Sequence, residues 1–305
     1  MVIFFAKVNL NSKHIYDVYS GNLDMKKILD TVMYTFGSEE EYVKEIIYKD
    51  GLDINIEQIK YKVHITDKTE EYIRGYIYKN STVRFKVFDE NSEELKSRSV
   101  KSTEAVDFYF DVYNELVGYN TAQRLGYKEF LEAFEGILNK SLQKCNQEYE
   151  FTVKLYSEGL DIFEIESQLK QIYNIQTLRF KFQPPNPPDD KILRELEDIA
   201  DSTIKDYKDA NIATKSVIFK ASKIAGININ AKEIQDQLNE ANSLHSGIDS
   251  SEATKNGYVE IEAIDSHGNK HTTAEKKPIK KEISNIIEFE DACRSVIRNR
   301  RPEKE

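Results

Sequence analysis

The sequence predicts an α+β protein in three consecutive parts. These are a strand-rich N-terminal domain over residues 1–105, a central ferredoxin-like α/β sandwich over 106–183, and a helical C-terminal region over 184–305 with a β-hairpin. Three observations predict it. Residues of alternating polarity recur every second position in the first third. Strand and helix patterns then alternate through the middle. All six prolines fall at or beyond residue 184, four of them in Pro184-Pro185-Asn186-Pro187-Pro188. Such a run lacks amide donors and favours extended backbone, so it closes one unit. Asp189-Asp190 are placed to cap the next helix.

In order, Val2–Leu10 reads as a strand, and Leu23, Ile28, Leu29, Val32 and Phe36 mark a helix. Three runs alternate cleanly: Ile59, Tyr61, Val63, Ile65; Tyr72, Arg74, Tyr76, Tyr78; and Val83, Phe85, Val87. Breaks at Asp67-Lys68 and Lys79-Asn80-Ser81 make them an antiparallel meander. Strands at Val106–Val112 and Leu116–Tyr119 precede Gly126. A helix then presents Phe130, Leu131, Phe134, Ile137, Leu138 and Leu142 on one stripe. Strand Tyr149–Tyr156, a turn at Gly159, a helix with Ile162, Ile165 and Leu169, and strand Thr177–Phe182 complete the middle part. Beyond the prolines, helices are expected at Ile192–Tyr207, at Val217–Ile224 ahead of Gly226, and at Ile234–Ala241. A loop is expected over residues 242–256. The hairpin spans residues 257–274, turning at Ser266-His267-Gly268-Asn269. A last helix carries Ile286, Phe289, Cys293 and Val296, and Pro302 ends it.

Composition narrows the function classes. The 305 residues carry 43 Lys+Arg against 53 Asp+Glu, a formal charge of −10, which excludes a basic coat over the whole surface. Apolar content of 39% and aromatics at 11% argue against wholesale disorder. The longest apolar runs, such as Val2–Ala6, reach four or five residues, so no membrane insertion is expected. Met1 leads straight into a strand-like run without a basic leader, and Cys145 and Cys293 make no disulfide framework; both fit a reducing cytoplasm.

The charge is unevenly placed. Residues 270–304 hold ten Lys+Arg and six Asp+Glu, a net +4, whereas residues 1–269 carry −13. Lys276, Lys277, Lys280 and Lys281 form a basic stretch. Arg294, Arg298 and Arg301 recur at i, i+4, i+7, with Arg300 beside them. One helix face would then present guanidinium forks, which match phosphate oxygens two at a time. Arg124 lies in the loop Asn120–Arg124 just before a helix start, where free amides favour an anion. These nine cations are the candidate nucleic-acid contacts.

Other patterns offer alternatives. Asp107, Asp111 and Glu115 repeat every four residues, and such carboxylates could hold Mg²⁺ in a nuclease. The same spacing also describes the wet face of an ordinary strand, with Phe108, Phe110 and Val112 opposite. A protein-interaction module, whose acidic surface engages a basic partner or mimics nucleic acid, is the third reading. His267 and His271 straddle the hairpin turn, where surface positions are expected. No Gly-rich phosphate loop, nucleophile elbow or HExxH run occurs, and no cofactor, catalytic residue or metal site is assigned.

The order of strand Leu116–Tyr119, Arg-containing loop, Gly126, amphipathic helix, strand, helix, strand resembles the RexA- and KwaB-type phage-exclusion proteins of bacteria. The hairpin Gly257–Thr273, with Ala263-Ile264-Asp265 and Gly268, followed by a closing helix, resembles them too. The resemblance covers residues 106–298. It implies a cytoplasmic antiphage-defence protein, homodimeric, that binds DNA with little sequence preference and without catalysis, beside a second defence-system protein. It carries no catalytic residues.

Overall fold

A computed structural model describes residues 1–11, 14–37, 41–50, 53–89, 94–184, 209–210, 212–243 and 250–298. The helix expected at Ile192–Tyr207 lies outside them, as do Arg300 and Arg301. Strands and helices are both abundant, as an α+β chain requires. Two compact units form, and each is assembled from separated stretches. Unit 1 comprises residues 1–3, 31–147 and 282–305, and unit 2 comprises 4–30 and 148–281.

Unit 1 is built on long antiparallel strands: β2 (Glu41–Asp50), β3 (Asp53–Lys68), β4 (Tyr72–Asp89), β5 (Glu94–Asp111) and β6 (Leu116–Tyr119), hydrogen-bonded in that order. The meander is as expected, but the strands run further. The break foreseen at Lys79-Asn80-Ser81 is absent, because Asn80 accepts a bond from Thr103 Oγ across the pair at 2.8 Å and the ladder continues. The boundary expected between residues 105 and 106 falls inside β5, whose pairs with β4 are unbroken there. A bulge between Ile65 and Asp67 bends β3 where Gly75 passes it.

Helix α3 (Tyr127–Lys144) buries Phe130, Phe134, Ile137, Leu138 and Leu142, the stripe its sequence advertises. Phe36, Phe108 and Phe110 meet Phe134 edge-on or tilted at 5.3–5.6 Å, and Tyr119 stacks on Phe130 at 3.9 Å. At its rim, Glu132 of α3 accepts from Lys44 Nζ at 2.5 Å and from Tyr42 Oη at 3.1 Å. The unit also holds α7 (Phe289–Arg298), which buries Phe289, Ala292, Cys293 and Ile297.

In unit 2, β1 (Val2–Leu10) pairs with β7 (Phe151–Leu155) through Ala6↔Leu155 to Leu10↔Phe151. Strands β8 (Thr177–Phe182), β9 (Lys215–Lys220), β10 (Val259–Ile264) and β11 (Lys270–Thr272) form a second, antiparallel sheet in the order β11-β10-β8-β9. This corrects the ferredoxin-like arrangement, which needs the strands of 106–183 in one sheet. Both edges of β8 are instead taken by later strands, and its buried Leu178, Phe180 and Phe182 pack within that sheet.

Two further expectations are corrected. Val217 and Ile218 lie in strand β9, not in a helix, because pairing with β8 sets Phe219 edge-on to Phe180 at 6.1 Å. Within the loop expected over 242–256, residues Ser250–Lys255 form a short helix, α6. Its Thr254 hydroxyl accepts from the Leu160 amide at 2.7 Å and donates to the Leu160 carbonyl at 3.1 Å. Helix α4 (Ile162–Gln171) opens with a capping box, Asp161 with Glu164. Gln235 of α5 (Lys232–Ser243) bonds Glu166 of α4 at 3.2 Å. Short α1 (Ile15–Tyr19) and α2 (Met25–Thr35) complete the helices among the described residues. No described helix is long and apolar enough to cross a membrane.

Candidate nucleic-acid interface

The basic window divides between the units. Lys270, Lys276, Lys277, Lys280 and Lys281 belong to unit 2, and Arg294 and Arg298 to unit 1. In unit 2, the hairpin β10–β11 turns at Gly268 (φ +82°), and Asp265 organises the turn. Its carboxylate accepts from the His267 and Asn269 amides at 2.8 and 2.9 Å, from Asn269 Nδ2 at 2.9 Å, and meets His271 Nε2 at 3.2 Å. The Asn269 side-chain bond leads these in holding the Asp265 carboxyl well below the usual carboxylate range.

After β11, Thr272 caps a 3-10 turn by accepting from the Ala274 amide at 3.2 Å. The chain then straps onto residues 156–158. The Glu158 amide bonds the Lys277 carbonyl at 2.9 Å, the Ile279 amide bonds the Tyr156 carbonyl at 2.9 Å, and Pro278 bridges Ser157. Buried Ile279 is the anchor. Lys277, at φ +46°, pairs with Glu164 at 2.7 Å, and that bond lowers the glutamate's pKa. Lys276, Lys280 and Lys281 are exposed and have no carboxylate partner among the described residues. Lys276 also edges a cleft of about 310 Å³ lined by Gln168, Tyr173, Asp265, His271 and Thr273. Tyr173 is three-quarters exposed there, a side chain with no charge to single it out in sequence.

In unit 1, the face expected to carry Arg294, Arg298 and Arg301 is only partly open. Arg294 lies over Tyr72 (4.7 Å) and Tyr109 (5.9 Å) and bonds Glu290 at 2.8 Å, while Arg74 holds the other Glu290 oxygen at 2.9 Å. Below them, burial pushes the Cys293 thiol up. Arg298, one turn on, is exposed and unpaired among the described residues. Arg124 is exposed too, in a tight loop closed by an Ala122–Leu125 bridge, and its carbonyl accepts from Lys79 Nζ at 2.8 Å.

The carboxylates of the nuclease alternative do not converge. Residues four apart on a strand are separated by about 13 Å of rise. Asp107 accepts from Asn120 Nδ2 at 3.2 Å, Asp111 caps the Asn114 amide at 3.0 Å, and Glu115 sits in the turn at φ +54°. Among the described residues no three His, Cys, Asp or Glu gather in a way that could hold a metal ion.

Sequence reasoning passed over Lys86, Arg98 and Lys101 on β4 and β5, which are exposed and unpaired among the described residues. A polar residue at every second strand position looks ordinary, so nothing marked them.

Compared with known proteins, residues 37–298 match a family model described as Domain of unknown function (DUF4747). No curated protein matches.

Proposed function

From a chain that belongs to the DUF4747 family, we propose a protein that binds nucleic acid, DNA foremost, with little sequence preference and without cutting it, as a homodimer serving phage exclusion in the bacterial cytoplasm. One observation carries the binding: within six residues of unit 2, Lys276, Lys280 and Lys281 stand exposed with no described carboxylate to neutralise them. Ammonium groups held this way contact phosphates as point charges, which gives affinity without base readout. Lys277 lends its charge to Glu164 and contributes less. Arg298 and Arg124 supply further exposed cations. The dimer, the defence role and a second defence-system partner rest on the resemblance of residues 106–298 to RexA- and KwaB-type proteins.

Fluorescence anisotropy on a labelled random-sequence duplex, with and without Mg²⁺, tests the binding. Three phosphate contacts contribute a salt slope of about 2.7, so raising salt from ~50 to ~200 mM should cost about 40-fold in affinity through them alone. Replacing Lys276, Lys280 and Lys281 by Gln should remove that share of the slope. An unchanged slope and affinity in the triple variant would refute the lysine patch, and Mg²⁺-dependent cleavage would refute a non-catalytic role.

A further inference from the structure

Strands β4 and β5 outrun their neighbours. Strand β3 pairs with β4 only as far as Asn80, and β6 pairs with β5 only from Phe108 onward. The nine pairs from Ser81↔Ser102 to Asp89↔Glu94 therefore form a ribbon with no third strand on either side among the described residues. Nine pairs at ~3.4 Å each reach about 30 Å, close to one helical turn of duplex DNA at ~34–36 Å. A two-stranded ribbon by itself is marginally stable in water, and this one does not bury its apolar residues. Phe85, Phe88, Leu95 and Val100 are 44–63% exposed, with Lys86, Arg98 and Lys101 exposed among them.

The pairing sorts these residues. One face carries Lys101, Lys86, Ser99 and, distally, Phe88 opposite Leu95. The other carries Val83 opposite Val100 and Phe85 opposite Arg98. The eighteen paired residues contain five Lys or Arg and two acids, in a chain of net charge −10. Residues 90–93 add Glu90 and Glu93, so the positive excess belongs to the shaft.

Resting on the nucleic-acid reading above, we infer that this ribbon is an arm that lies in the major groove of duplex DNA. That groove admits a two-stranded β-ribbon. It sets phosphates along both sides and thymine methyl groups on its floor, which suit the cations and the exposed Phe and Val side chains. Charge complementarity selects this occupant over a second copy of the arm, since two positive ribbons laid together repel.

The chain has no tryptophan, so Phe88→Trp places a lone indole on the arm. The duplex should quench and shift its emission in the same titration that measures binding. Replacing Lys86, Arg98 and Lys101 by Gln in that background should abolish the quench and lower the salt slope by about 2–3. Circular dichroism and melting temperature should stay unchanged, because all three side chains are exposed. Duplex that binds the full-length protein without altering the indole overturns the arm and leaves the lysine patch standing. Failure of the unsubstituted protein to bind any duplex overturns both. Quenching by single strands alone, or a shift that tracks protein concentration and ignores DNA, also overturns the arm.

Discussion

Arg294 should be a stability residue, and Arg298, one helical turn away, should not. The Arg294 guanidinium lies 4.7 Å from the centre of the Tyr72 ring, which itself stacks on Tyr109 at 4.8 Å, and it bonds Glu290 at 2.8 Å. A half-screened cation–π contact is worth about 1 kcal/mol. The ion pair, with side chains 32% and 24% exposed, adds about 0.5 kcal/mol after screening. Loss of the covering methylene stem adds a similar amount. Against these stands the buried Nε, which has no partner. Arg294→Ala should therefore cost about 1–2 kcal/mol, lowering the melting temperature of unit 1 by roughly 2–8 °C. Arg298→Ala should stay within about 0.5 kcal/mol of the parent. Arg294→Lys should recover less than half of the loss, because an ammonium neither stacks nor forks. Scanning calorimetry decides it. Equal melting for the two alanine variants would refute the reasoning, as would an Arg294→Ala protein that melts normally but loses DNA.

Gly75→Ala should destabilise unit 1 by at least about 2 kcal/mol, since its Cβ would lie 2.1 Å from the His64 carbonyl oxygen at the β3 bulge. Gly37→Ala, whose new carbon meets only Thr35 O at 3.5 Å, serves as the near-neutral control in the same denaturant titration. Asp265 gives a pH prediction. Its folded pKa is depressed, so its stabilisation is complete above the unfolded value of about 3.9 and is lost as pH falls through the folded value. The stability gap between parent and Asp265→Ala should therefore be flat from about pH 7 to 5 and close only in strong acid. A gap that closes near neutrality would refute the carboxylate's role in the turn.

Local pattern carried the elements whose partners are near in sequence. The i, i+3, i+4 stripe of α3 and the alternation around Tyr61 and Tyr76 read correctly because one buried face suffices to set each. Val217, Ile218, Ala221 and Ile224 fall at helical spacing, yet β9 is a strand because the free edge of β8, some forty residues earlier, takes Val217 and Phe219 as partners. Strand β2 went unseen for a related reason. Ile46 and Ile47 are consecutive and exposed, so the period-two signal fails, while the register from Glu41↔Lys62 to Asp50↔Asp53 is imposed by β3. Helix α6 depends on Thr254 reaching Leu160, a contact across ninety-four positions that no window contains.

Charge was legible in the same limited sense. A linear count finds cations but not the carboxylates that neutralise them. Within the +4 window, Lys277 is taken by Glu164 and Lys270 by Glu262, both acids lying outside it, so its effective charge is smaller than the count. Residues 81–102 behave oppositely, because the acids cluster at 89, 90, 93 and 94 and leave Lys86, Arg98 and Lys101 without a described partner along the shaft. What a polyanion meets is the set of cations left over after folding, and strand register decides that set as much as composition does. On the proposed reading, an acidic chain holds DNA through the few cations left without a described partner. Neutralising the two groups, 276/280/281 and 86/98/101, should then reduce the salt slope additively if both touch phosphate. Non-additive loss would mean that one group acts only by shaping the other's surroundings.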